Sequence, residues 1–76
     1  MYLTPIPPQS AHIFTKLLKL GMVGEEVKFL QIKLGIGADG LFGNKTKTAV
    51  IKFQLAHSLV GDGIVGKLTN YQLNLI

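Results

Sequence analysis

Apolar residues recur at helical spacing in the middle of the chain, and again after a short glycine-rich interruption. Val27, Leu30 and Leu34 follow an i, i+3, i+7 rhythm that sets them on one face of a helix. Gly24 stands where that helix would be capped, and Glu25 and Glu26 fill its first turn, at the positive end of the helix dipole. Gly35 and Gly37 then end it. A second helix is predicted from about Asn44 to His57, with Ala49, Val50 and Phe53 turned inward, and a short third from about Lys67 to Leu73. Alternation with a period of two is nowhere sustained, so strands should be minimal. The pattern is that of an all-α, compact three-helix bundle. Upstream, Pro5, Pro7 and Pro8 forbid a regular helix and favour extended chain. Residues 1–16 are therefore read as an extended N-terminal arm or linker, and 17–76 as the folded domain. The arm is open to two readings: a loose remnant, or a docking segment that lies on a partner or packs back on the domain.

The helices and loops repeat. A shift of 23 residues pairs Val27 with Val50, Leu30 with Phe53, Gln31 with Gln54 and Ile36 with Leu59. The same shift pairs Asp39 with Asp62, Gly40 with Gly63, Leu41 with Ile64, Phe42 with Val65, Gly43 with Gly66 and Thr46 with Thr69. Such self-similarity at a fixed period means one supersecondary unit used twice. Each unit has a helix, a turn, a loop of pattern D-G-apolar-apolar-G, and the start of the next helix.

The repeated polar residues have a structural logic. Asp39 and Asp62 can accept backbone N–H bonds from the residues that follow them. Gly40 and Gly63 permit positive φ at low steric cost. Gly43 and Gly66 are expected to open the next helix where no side chain fits, and Thr46 and Thr69 to bond back toward the loop. Gln31 and Gln54 lie on the apolar side of their helices, and a buried amide must find partners, which the loop backbone offers.

Composition and charge narrow the function. A chain of 76 residues makes one domain at most, and a domain of that size buries only about 60% of its unfolded surface. There are no cysteines, which excludes disulfides, thiol-based zinc sites and thiol catalysis, so packing, caps and turns must hold the fold. The formal net charge is +4, and every one of the eight basic side chains is Lys. A basic balance attracts nucleic acid, acidic lipid or an anionic cell wall. Arg supplies the fork that reads guanine edges, and its absence leans away from base readout. A helix-turn-helix DNA binder is kept as a lesser alternative, against which stand loops of about five residues in place of a tight three-to-four-residue turn. No stretch approaches the roughly 18 apolar residues of a membrane span. The first ten residues lack the basic start and apolar run of a secretory signal, so export by the general secretory route is not expected of this chain alone.

Three motifs carry a resemblance to a known family. The first is the opening L-x-x-G-x-x-G-x-x-V-x-x-L-Q of Leu18, Gly21, Gly24, Val27, Leu30 and Gln31. The second is D-G-x-F-G-x-x-T-x-x-A-V-x-x-F-Q, running from Asp39 to Gln54, and the third is D-G-I-V-G-x-x-T-x-x-x-L, from Asp62 to Leu73. Together they resemble the peptidoglycan-binding domain of bacterial and phage wall hydrolases, over about Leu18 to Leu73. The pattern departs in two places. The family usually has Pro after each loop glycine, where this chain has Asn44 and Lys67, and Trp after the second Thr, where it has Asn70 with Tyr71 beside it. The resemblance implies a three-helix fold and a binding role, usually as an accessory tethered to an amidase, muramidase or peptidase; no cofactor or metal is expected. The expected partner is bacterial peptidoglycan, together with a catalytic lysin or a phage tail component. The expected location is the bacterial wall or periplasm on delivery, or a phage virion. A structural virion protein that works through residues 1–16 is the alternative from another class.

No catalytic site is expected. Asp39 and Asp62 occupy equivalent repeat positions, which argues for one turn-forming job done twice over a paired-carboxylate site. His12 and His57 are far apart without a third ligand at metal-binding spacing. Ser10 and Ser58 lack a nucleophile-elbow context. For ligand binding the candidates are Phe42, Asn44, Lys45, Val65, Lys67, Thr69, Asn70 and Tyr71, on the two loops and the third helix. For Phe42 the core reading is favoured, for Asn70 and Tyr71 the two readings are even, and Lys45, Lys47 and Lys67, which could meet stem-peptide carboxylates, are favoured as a solvated face.

Overall fold

The computed structural model describes residues 12–76, so the arm's first eleven residues lie outside the described part. Three helices follow in order: α1 (Glu25–Leu34), α2 (Asn44–Ala56) and α3 (Lys67–Leu75). No strand forms among the described residues, where two isolated antiparallel bridges, Leu18 with Val65 and Val23 with Leu41, are the only β pairing. Both predicted helix-start positions, Asn44 and Lys67, are the observed ones.

Helix ends follow local chemistry. At the end of α1, Gly35 takes the left-handed conformation (φ 77°), and the Ile36 N–H reaches back 3.0 Å to the Gln31 carbonyl, a Schellman closure. Helix α2 closes in the same way one unit later: Ser58 has φ 61°, and the Leu59 N–H bonds the Gln54 carbonyl at 2.7 Å. This turn ends α2 at Ala56, one residue before the expected His57. Helix α3 continues two residues past the expected Leu73. Leu73 is buried and the next residue, Asn74, is fastened, its side chain accepting from the Phe14 N–H (2.7 Å) and donating to the Phe14 carbonyl (2.9 Å).

The core consists of Phe14, Leu18, Val27, Leu30, Phe42, Val50, Val65 and Leu73, with Met22, Phe29, Leu34 and Phe53 packed around it. Phe14, ahead of the expected boundary at Leu17, is 2% exposed and packs into the core. Burial of a side chain of that size contributes about 2–3 kcal/mol. His12 is also engaged, stacked on Phe29 at 4.2 Å and 3.1 Å from the Glu26 carboxylate. From Leu18 to Gly24 the chain then crosses both loops. Leu18 exchanges two backbone bonds with Val65, while the Met22 carbonyl and Gly24 N–H bond Phe42 and Gly40. The two loops are thereby held side by side.

Candidate functional site

Gln31 organises the first loop from within. Its Nε2 lies 2.9 Å from Asp39 Oδ1, 2.9 Å from the Leu41 carbonyl and 3.0 Å from Thr46 Oγ1, so two N–H groups serve three acceptors. Its Oε1 accepts from the Gly40 N–H (2.8 Å), and Asp39 Oδ1 also accepts from the Leu41 N–H (2.9 Å). Twenty-three residues on, Gln54 donates to Asp62, the Ile64 carbonyl and Thr69 at 3.0, 2.9 and 3.1 Å. The Gly63 N–H donates to Gln54 and the Ile64 N–H to Asp62, each at 2.9 Å. Both glutamines are buried, and each of these bonds in one loop has its counterpart in the other. An amide in such a setting is satisfied, not free for a ligand.

The same bonds act on the aspartates. The Leu41 N–H, then the Gln31 side chain, and more weakly Lys45, hold the Asp39 carboxyl below the usual aspartate range. The Ile64 N–H and then the Gln54 side chain do so for Asp62. Both are ionised acceptors with no proton to give at neutral pH, which suits turn formation and not general-acid chemistry. One expectation is corrected: a Cβ at Gly43 or Gly66 meets nothing within 4 Å, and both φ values (−102° and −106°) are open to any residue. The tight position is Gly63, where φ is +75° and a Cβ would sit 2.8 Å from Lys47 Cγ.

Two depressions flank the paired loops. The larger, about 1170 Å³, runs between the end of α1, the first loop and α2. Half-buried Leu34, Ile36, Ala49 and Phe53 give it an apolar floor, and exposed Asn44, Lys45, Thr48 and Lys52 give it a polar rim. The smaller, about 230 Å³, lies beside the second loop. Each residue lining it, including Leu59, Val60, Lys67 and Leu68, is the 23-residue image of one lining the larger groove.

Against this geometry the eight candidate binding residues separate. Phe42 and Val65 are fully buried, and Thr69 and Asn70 are 5% and 6% exposed, so all four serve the interior. The reason is packing: Phe42 and Val65 plug the core beneath their loops, Thr69 accepts from Gln54, and Asn70 Nδ2 donates to the Lys16 carbonyl at 3.0 Å. Asn70 Oδ1 is buried and has no hydrogen-bond partner among the described residues. Asn44 and Lys45 line the large groove and Lys67 the small one, while exposed Tyr71 borders neither. Lys47 lies over Gly63 of the second loop. Leu34, Ile36, Thr48 and Lys52 also line the large groove and were not among the candidates that sequence reasoning named.

The fold and groove define a small helical binding module, and comparison with known proteins says of which kind. The sequence model of the peptidoglycan binding domain family matches residues 23–73. The chain belongs to this family. It is 47% identical over 60 residues to the zinc D-Ala-D-Ala carboxypeptidase of Streptomyces albus G, a match covering 68% of this chain and 24% of that protein. Among solved structures, a peptidoglycan-binding protein from Clostridioides difficile superposes with a TM-score of 0.75 at 42% identity, over 79% of this chain and 41% of its own. The endolysin of Burkholderia phage AP3 does so with a TM-score of 0.75 at 40% identity, over 76% of this chain and 24% of its own. The chain thus spans less than half the length of each of these relatives.

Proposed function

We propose that this domain binds the peptidoglycan of the bacterial wall through the groove between its first loop and α2, and that it does so without cleaving it. The observation that carries this reading is the groove itself, an apolar floor under a rim of exposed amide, hydroxyl and ammonium groups, on a domain whose family is peptidoglycan-binding. Its role is targeting or anchoring for a wall-lytic system. The carboxypeptidase and the phage endolysin, each carrying a similar stretch within a longer chain, support a catalytic lysin as the partner. The endolysin also supports a phage lysis or virion setting, and action at the wall. No helix among the described residues is long and apolar enough to cross a membrane.

Co-sedimentation with purified sacculi in low and high salt tests the reading. Retention that weakens but survives as salt rises is expected, since the rim of the groove is charged. Retention weakened equally by replacing lysines outside the groove would reduce the interaction to diffuse attraction by Lys, and no retention in either salt would overturn it.

A further inference from the structure

We infer that the element of peptidoglycan recognised by the groove is the carboxylate-bearing stem peptide and not the glycan strand, with Lys45 and Lys52 as the specificity-determining residues. The inference rests on the wall-binding reading and adds the chemistry of the ligand.

Three observations carry it. The first is that the two units provide an internal control. Positions kept in both units, Gln, Asp, Gly and Thr, are those the loop bonding consumes. At positions 45 and 52 the first unit has Lys, whereas the images of those positions are Leu68 and Leu75. Neither ammonium is therefore needed to build a unit. Both residues line the large groove and are exposed, and among the described residues neither is ion-paired.

The second is spacing. Lys45 and Lys52 stand seven positions apart on α2, two turns or about 10 Å along the axis. An extended peptide covers that span in about three residues. Two carboxylates carried on one stem peptide can thus meet the two ammoniums while small apolar side chains rest on Ile36, Ala49 and Phe53.

The third is the nature of the floor. Sugar rings bind proteins through open aromatic faces, and the groove has none to give. Phe53 is half-buried, with the His57 ring over it at 4.2 Å, and the exposed Tyr71 is outside the groove.

The test is an NMR titration of the isotope-labelled full chain with three soluble probes. These are the free stem tetrapeptide L-Ala-γ-D-Glu-meso-diaminopimelate-D-Ala, the same peptide with its carboxylates amidated, and chitotetraose as a glycan without peptide. The free peptide should shift the backbone amides of Ile36, Lys45, Ala49 and Lys52, and amidation should abolish the shifts. Lys45→Met and Lys52→Met should each weaken binding about fivefold and the double variant about 25-fold, as expected for exposed charge contacts that act independently. Lys19→Met/Lys28→Met, which removes the same charge away from the groove, should leave it unchanged. Both groove lysines are exposed, so the variants keep the fold, which matching thermal melts verify. Groove shifts with chitotetraose but not with the peptide would overturn the inference, as would equal weakening by the control pair. Sacculus binding that persists in those cases would leave the wall-binding reading standing. Loss of sacculus binding by the unmodified chain would instead remove that reading first.

Discussion

The two loops are built alike and flanked differently. Beneath the surface the bonds of Gln31 recur in Gln54 with nearly equal lengths, and Phe42 and Val65 plug the core in the same way. At the surface the likeness ends. Beside the first loop lies a groove of about 1170 Å³ rimmed by Lys45 and Lys52, and beside the second a depression of about 230 Å³ with Leu68 in the place of Lys45. Duplication thus separates two demands that a single sequence confounds. What both units keep is required by the fold, and what only one has is free to serve a ligand.

The strongest way to break this comparison is to remove the central amides. Gln31→Ala and Gln54→Ala should each destabilise the domain by about 2–4 kcal/mol, from a cavity plus loop N–H and C=O groups left buried without partners. Urea unfolding should return similar losses for both, and a cost confined to one would show that the loops are not equivalent in energy. A difference is expected at the loop glycines. Gly63→Ala, strained at positive φ and crowded by Lys47, should cost about 2 kcal/mol or more. For Gly40→Ala, whose nearest neighbour would be 3.4 Å away, the cost should be about 1–2 kcal/mol. Thermal midpoints of the two variants check the order.

The helix ends sharpen the comparison further. Ser58 adopts at φ 61° the left-handed turn that Gly35 occupies in the first unit. Ser58→Gly should therefore stabilise by about 0.5–1 kcal/mol, while Gly35→Ser should lose a similar amount. A pair of shifts with the same sign in calorimetry would refute the equivalence of the two turns. The smallest effect belongs to the aspartates, which are exposed and screened. Their folded-state pKa values lie below the usual aspartate value, so each contributes stability that is fully present above that usual value. It is lost as pH falls through the usual value to the lowered one. In Asp39→Asn or Asp62→Asn that component of the acid dependence should flatten, which chemical denaturation between about pH 2 and 5 would record.

The bundle, its helix starts and the loop chemistry were legible because the residues responsible are repeated at a fixed interval. The candidate site was read less well for the same reason. Phe42, Val65 and Thr69 drew attention as repeated residues, yet repetition marked them as structural. Lys52 and Thr48 went unnoticed because they differ from their images, Leu75 and Tyr71, and difference was the signal to follow. Leu34 and Ile36 join the groove only through the approach of α1 to α2, which no local pattern encodes. Phe14 was hidden by its proline-rich surroundings, and its anchor, Asn74, is 60 residues away.

That anchor has a mechanical meaning. Tension applied to the chain ahead of His12 would first reach the contacts of His12 with Phe29 and Glu26, and then the bonds of Phe14 with Asn74. Next in line are Asn70 with Lys16 and Leu18 with Val65. These contacts would break in succession as the segment peels from α3 and the second loop. Apart from the outer grip of His12 on α1, the groove between α1 and α2 lies beyond these contacts in the load path. The second unit, with only the smaller depression beside it, is placed to act as the shock absorber of the first.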